Sequence, residues 1–291
     1  MNLLPLRRAT VLASLCASIS IQDCIADPAA CDRGRGRECV VLLHGWGRSS
    51  FSMRPVKRAL ELHGYTVVSL SYPTWRVPIE QLADVYLANE LDERVPEDAL
   101  RIHFVTHSFG GILLRQYLSN HHEDRLGRVV MLAPPNQGCE VANLFHRFAI
   151  VRWLAGPNLS RLGTHSDSLP RRLDPVTFET GIIAGTRPFL GIFLRADSVS
   201  DGIVSVEETR VQGMKDWIAI ERTHTFLMRS RESLDQTASF LNDGWFRHHS
   251  SRQNVLPDFR GHWSTPNTLP IKRPEPVPTT ITTRNSHEIA P

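Results

Sequence analysis

The chain has 291 residues, of which 41% are hydrophobic and 22% charged, with a formal net charge of +3. That is enough apolar material for one large core, and single α/β domains often run past about 200 residues. The Lys and Arg residues are scattered rather than clustered, so no electrostatic footprint for nucleic acid is present and no DNA or RNA partner is expected.

In chain order, the first element is a leader. Residues 1–26 carry a basic pair, Arg7-Arg8, an apolar stretch from Ala9 to Ile21, and small residues around Cys24-Ile25-Ala26. Positive start, short apolar centre and small-residue cleavage region are the plan of a secretory signal. The apolar stretch falls short of the ~20 residues a spanning helix needs. Export to the periplasm or beyond is the expectation; an uncleaved N-terminal anchor with membrane-surface association is the alternative. After cleavage Cys31, Cys39 and Cys139 would remain. Cys31 and Cys39 could bridge a short loop, or Cys39 could be a small buried residue opening a strand.

Six short apolar runs follow. Cys39 to Gly45 (CVVLLHG), Tyr65 to Pro73 (YTVVSLSYP), Ile102 to Ser108 (IHFVTHS), Arg128 to Pro135 (RVVMLAPP), Gly181 to Thr186 (GIIAGT) and Trp217 to His224 (WIAIERTH) are too short for helices and rich in β-branched residues. Near-continuous apolar runs indicate strands buried on both faces, hence a mainly parallel sheet. Helical patterns separate them: SMRPVKRALELHG ending at Gly64, PIEQLADVYLANELDERV, GGILLRQYLSNHH, and SLDQTASFLNDGWF closing the domain. The predicted fold is α/β, a doubly wound, mainly parallel sheet.

Two regions break this rhythm. Residues 138–175 lie between two strands and carry Val141, Leu144, Phe145, Phe148, Ile150, Val151, Trp153 and Leu154 but no clear strand. They read as a helical insertion over one end of the sheet, or as helices packed into ordinary core. Residues 248–291 are rich in Pro, Thr and Ser, with little apolar periodicity, and read as a disordered tail. The globular domain is therefore expected over 27–247.

In a doubly wound sheet, ligands sit beyond the carboxyl ends of the strands. After the first strand comes His44-Gly45-Trp46-Gly47. After the third comes Ser108, entering a helix with Gly110 and Gly111. After the fifth, a loop carries Asp197 and Asp201, and after the last comes His224. A serine, an acid and a histidine thus share one edge of the sheet. Thirteen histidines make a chance match easy, so His224 is chosen for its place after the last strand. His107 reads as a local packing residue and His44 as a loop-ordering one. The pairs His121-His122 and His248-His249 are not read as metal sites, because adjacent helix residues point apart.

The stretches VVLLHGWGRSS, VTHSFGG, APPNQG, SDGIVSVEE and THTFLM resemble the serine esterases and lipases of the α/β-hydrolase superfamily, from Cys39 to about Phe246. The resemblance implies an ester-hydrolysing enzyme acting on a small-molecule or lipid ester, with no metal and no organic cofactor. It selects Asp201 over Asp197, since Asp-Gly-Ile-Val-Ser-Val matches the family's acid turn. Ser108 would then be the nucleophile, His224 its base and Asp201 the residue orienting His224. Backbone N–H groups of Trp46 and Phe109 would form the oxyanion hole, with His44, Gly45, Gly47 and Gly110 supporting the loops. The resemblance also makes 138–175 a cap over the acyl pocket. One departure stands out: Thr106 occupies the place of the first small residue in the usual Gly-x-Ser-x-Gly turn. An acyltransferase using the same triad, and a catalytically silent binding protein of this fold, are the alternatives.

Overall fold

The structure, a computed structural model, describes residues 37–146, 156–188 and 198–248. The leader, Cys31, Asp197, the insertion's Phe148, Ile150, Val151, Trp153 and Leu154, and the tail from residue 249 lie outside the described residues.

All six expected strands are present. They are β1 (Glu38–Leu43), β2 (Thr66–Leu70), β3 (Arg101–His107), β4 (Leu126–Leu132), β5 (Thr180–Gly185) and β6 (Asp216–Ile220). They form one six-stranded sheet in the order β2-β1-β3-β4-β5-β6, and every pairing is parallel. Cys39 is buried and free, the second residue of β1, and burial pushes its thiol up to about 11.

Side chains alternate between the two faces of each strand, and each face has its own core. On one, Cys39, Val41 and Leu43 of β1 meet Ile102 and Phe104 of β3. That face is covered by α2 (Ile79–Gln81), a wide π-helical segment (Leu82–Leu87), α3 (Ala88–Arg94) and α4 (Phe109–Asn120). On the other, Val40, Leu42 and Val105 meet α1 (Arg54–Leu62) and α7 (Arg231–Asp243) through Val56, Leu60 and Phe240. Helix α7 stops at Gly244, whose left-handed φ of 77° suits the residue just past a helix end. His248 follows, and its Nε2 meets the Asp216 carboxylate at 2.9 and 3.0 Å.

The described parts of the insertion pack onto the first face. Helix α5 (Glu140–His146), the residue before it and the segment from residue 156, which includes α6 (Leu169–Arg172), contribute Cys139, Ala142, Leu162 and Leu169 to its core. Asn158 donates to Thr74 O and Val77 O, both at 2.8 Å, and Arg161 pairs with Glu80 on α2. These contacts bind the insertion to the loop that follows β2.

The strand order has a functional consequence. From β1 the chain passes outward to β2, then returns to place β3 on the other side of β1. The connections therefore diverge between β1 and β3, and a crevice opens at their carboxyl ends. The His44–Gly47 loop follows β1 and Ser108 follows β3. Both flank that crevice.

Candidate active site

Strand β3 ends at His107 and α4 begins at Phe109, leaving Ser108 alone to turn the chain. It does so at φ 52°, ψ −121°. Among the described residues other than glycine only Ser108 and Ala133 have positive φ, and such a conformation costs about 1–3 kcal/mol. The Ser108 N–H donates to Leu132 O and its carbonyl accepts from Gly111 N–H, both at 2.9 Å. From Ile102 to Tyr117 every residue is buried except Ser108. A strained serine is held out of an otherwise sealed strand and helix.

The glycines after it explain how the turn closes. A Cβ at Gly110 would stand 2.6 Å from Leu43 O and 2.9 Å from His44 O, both backbone atoms that cannot yield. A Cβ at Gly111 would come within 3.3 Å of Thr106 Oγ1. Thr106 is wholly buried, and the helix leaves room for it. The usual small residue before the serine is thus replaced by a bare helix position after it.

Asp201 and His224 are brought together. The His224 Nδ1–H donates to Asp201 Oδ2 at 2.7 Å, and the His224 backbone N–H donates to Asp201 O at 3.1 Å. The other carboxylate oxygen, Oδ1, accepts from Ile203 N–H at 2.9 Å and Val204 N–H at 2.8 Å. Asp201 and His224 are both buried. Gly202 carries the turn at φ 96°. With the Nδ1 hydrogen given to Asp201, the His224 Nε2 keeps a lone pair able to accept a proton.

His107 joins the histidine to the serine. Its Nε2–H donates to His224 O at 3.1 Å, and the two rings lie 4.7 Å apart. Burial, and then the neighbouring His224, push its pKa well below the ordinary imidazole value, so it stays neutral. It packs locally, as its position beside Ser108 suggests.

The His44–Gly47 loop passes directly over this group. A Cβ at Gly45 would stand 2.8 Å from His107 Nδ1 and 3.3 Å from Ser108 Cβ. Gly47 takes φ 68° against the Trp75 ring, and Trp46 packs on Trp75 with ring centroids 4.3 Å apart. His44 is buried beneath the loop. The Arg48 guanidinium donates to Thr225 Oγ1 at 2.8 Å, tying this loop to the residue after His224. Phe109 opens α4, and the first N–H groups of a helix have no partner within it.

Sequence reasoning missed three contributors. A Cβ at Gly185, ending β5, would stand 2.6 Å from Asp201 Cβ and from Arg222 O, so this glycine makes room for the acid. Tyr72, after β2, stacks on His44; its place past a strand end is the one signal the sequence offers, and it does not name the partner. Glu208 accepts from Ser205 N–H and Glu140 N–H at 2.7 and 2.9 Å, joining the acid loop to α5. Nothing in its local sequence announces that contact. Among the described residues, no group of three or more His, Cys, Asp or Glu could hold a metal ion.

A model described as the alpha/beta hydrolase family matches residues 40–245. No curated protein sequence matches the chain. Among solved structures, the mature form of the Bacillus licheniformis lipase BlEst2 superposes with a TM-score of 0.59 at 18% identity, over 70% of this chain and 91% of that one. The phospholipase PlaB from Legionella pneumophila gives 0.57 at 16% identity, over 70% of this chain. The match spans 59% of PlaB's length. A metagenomic carboxyl esterase gives 0.51 at 20% identity, over 65% of each chain. At these identities the likenesses establish the fold.

Proposed function

The chain belongs to the alpha/beta hydrolase family, and from that premise we propose that it is a serine hydrolase cleaving carboxylic esters of small molecules or lipids. In this reading Ser108 is the nucleophile, His224 the general base and then acid, and Asp201 the residue that orients it. The observation that carries the reading is Ser108 itself. It stands partly exposed at φ 52°, next to His107, which bonds to His224 O at 3.1 Å, while Asp201 holds the His224 Nδ1 hydrogen.

The chemistry follows from these roles. A serine hydroxyl is a weak nucleophile at neutral pH and needs a base. As Ser108 Oγ attacks the ester carbonyl carbon, its proton passes to His224 Nε2, and Asp201 stabilises the imidazolium. The carbonyl π electrons move to oxygen, and the Trp46 and Phe109 N–H groups meet the resulting oxyanion. When the tetrahedral centre collapses, the alcohol departs with the proton from His224, leaving an acyl-enzyme. Water then repeats the sequence, releasing the acid and restoring Ser108. Every proton is accounted for without a metal.

Two further parts belong to the same proposal. Segment 138–175 serves as a cap beside the acyl site, supported by its attachment to the Thr74–Glu80 loop. The leader directs export, which amino-terminal sequencing of the native protein would test.

The experiment for the whole reading is reaction of the purified full-length chain with a fluorophosphonate, the adduct located by peptide mass spectrometry. The expected result is one adduct on Ser108, absent in Ser108→Ala and strongly slowed in His224→Ala. A folded wild-type protein left unlabelled would overturn the reading in favour of a silent binding protein.

A further inference from the structure

The Gly45–Trp46 peptide has little rigidity of its own. Position 45 admits no side chain, because its Cβ would press on His107 and Ser108. A glycine backbone rotates freely. Yet an oxyanion donor must point one way before the reaction begins. Something outside residue 45 has to hold it.

The peptide unit is planar and trans, so the Gly45 carbonyl and the Trp46 N–H point in opposite directions and turn together. Whatever grips the carbonyl aims the N–H. Two donors grip it: His44 Nδ1–H at 2.9 Å and Arg48 N–H at 3.2 Å. His44 is in turn held on three sides by Tyr72. The Tyr72 N–H donates to His44 Nε2 at 3.2 Å, its hydroxyl donates to His44 O, and the two rings stack at 4.0 Å with a 10° interplanar angle. Since Nε2 accepts, the ring hydrogen must sit on Nδ1, where it meets Gly45 O. Burial pushes the His44 pKa below the ordinary imidazole value, which keeps this tautomer neutral. On the far side of Trp46, Gly47 N–H donates to Thr74 Oγ1 at 3.0 Å, and Thr74 N–H donates to Tyr72 O at 3.0 Å. The loop after β2 therefore grips both ends of Trp46.

We propose that His44, fixed by Tyr72, is a positioning residue that aims the Trp46 N–H at the developing oxyanion. This rests on the reading of Ser108 as nucleophile. His44 does not touch the substrate; it acts through one peptide plane. Its effect should therefore fall on the transition state and spare ground-state binding.

The test uses the full-length protein and the variants His44→Leu, His44→Asn and Tyr72→Phe. For each, kcat and KM are measured on p-nitrophenyl butyrate, together with the inhibition constant of an alkyl trifluoromethyl ketone, whose serine adduct is itself an oxyanion. His44→Leu should lose on the order of 10²-fold in kcat with KM nearly unchanged, and bind the ketone correspondingly more weakly. His44→Asn, whose Nδ2 can stand in for Nδ1, should recover about tenfold of that loss. Tyr72→Phe should show the same pattern, smaller. A folded His44→Leu with unchanged kcat, or with unchanged ketone affinity, would overturn the proposal. If His44→Leu fails to fold, His44→Phe decides, since it keeps a ring to stack on Tyr72 but has no donor for Gly45 O: unchanged kcat and ketone binding overturn the proposal. The two readings fail differently. A wild-type chain that fluorophosphonate leaves unlabelled removes both, whereas a labelled wild type with indifferent variants removes this one alone.

Discussion

Replacing Asp201 by Asn tests the histidine's role with little change in shape. An amide has one acceptor oxygen and one donor nitrogen, so which end faces His224 matters. The structure decides it. Two backbone donors, Ile203 N–H and Val204 N–H, converge on Oδ1 at 2.9 and 2.8 Å, and a buried N–H left without an acceptor costs about 1–3 kcal/mol. The Asn oxygen should therefore stay at the Oδ1 place, turning its NH2 toward His224 Nδ1. That nitrogen can then only accept, and the ring hydrogen moves to Nε2, where it blocks proton transfer from Ser108. The expected loss is about 10⁴ in kcat, as for a triad held in the wrong tautomer, or about 5 kcal/mol of transition-state stabilisation. Hydrolysis of p-nitrophenyl butyrate across pH measures it, with thermal melting to show the fold intact. Asp201→Ala should differ in kind, losing stability as well because both N–H groups are orphaned. An Asp201→Asn enzyme within about tenfold of wild type would refute the assignment of acid and base together.

Three other outcomes follow from the geometry. Ser108→Gly should be more stable than Ser108→Ala by about 0.5–2 kcal/mol in chemical denaturation, since relief of the positive φ outweighs the extra chain entropy; the reverse order would mean the turn is unstrained. Gly110→Ala should destabilise strongly and lower expression, because its Cβ would lie 2.6 Å from Leu43 O; a melting temperature equal to wild type would contradict this contact. The hydrogen bond from Arg161 holds the Glu80 carboxyl below its ordinary value of 4.5. This half-buried pair steadies the insertion by less than about 1 kcal/mol, fully above pH 4.5, and the contribution is lost as pH falls through the lowered folded value. Limited proteolysis within 156–175 should therefore quicken in acid for wild type, and Glu80→Gln should flatten that dependence.

The strands were legible because each is a continuous apolar run capped by turn residues, and burial on both faces of a parallel sheet writes such runs directly into the chain. The candidate site residues can be proposed from sequence because they follow strand ends. What local sequence does not carry is the lateral order of the strands, since β1 pairs with β3 across a whole βαβ connection. Without that order the crevice between β1 and β3 cannot be located. The same holds for His44. Its value depends on Tyr72, 28 positions away, and on a ring stack that no periodicity encodes. Gly185 looks like an ordinary strand-end glycine until Asp201 is placed beside it. Thr106 departs from the usual small residue of the turn, and the space beside it lies at Gly111, which shows only once helix and strand are packed.

The bond from His107 to the His224 carbonyl alters how the site responds to motion. Strands β3 and β6 lie three positions apart in the sheet, roughly 14 Å at ordinary strand spacing. Small changes of twist accumulate over such a width, and Ser108 and His224, carried separately by those strands, would drift with every one. Because His107 is covalently joined to Ser108 and bonded to His224 at 3.1 Å, their separation is gauged across a single local link instead of the breadth of the sheet. On the proposed reading, this link keeps Ser108 and His224 in register when the outer strands shift.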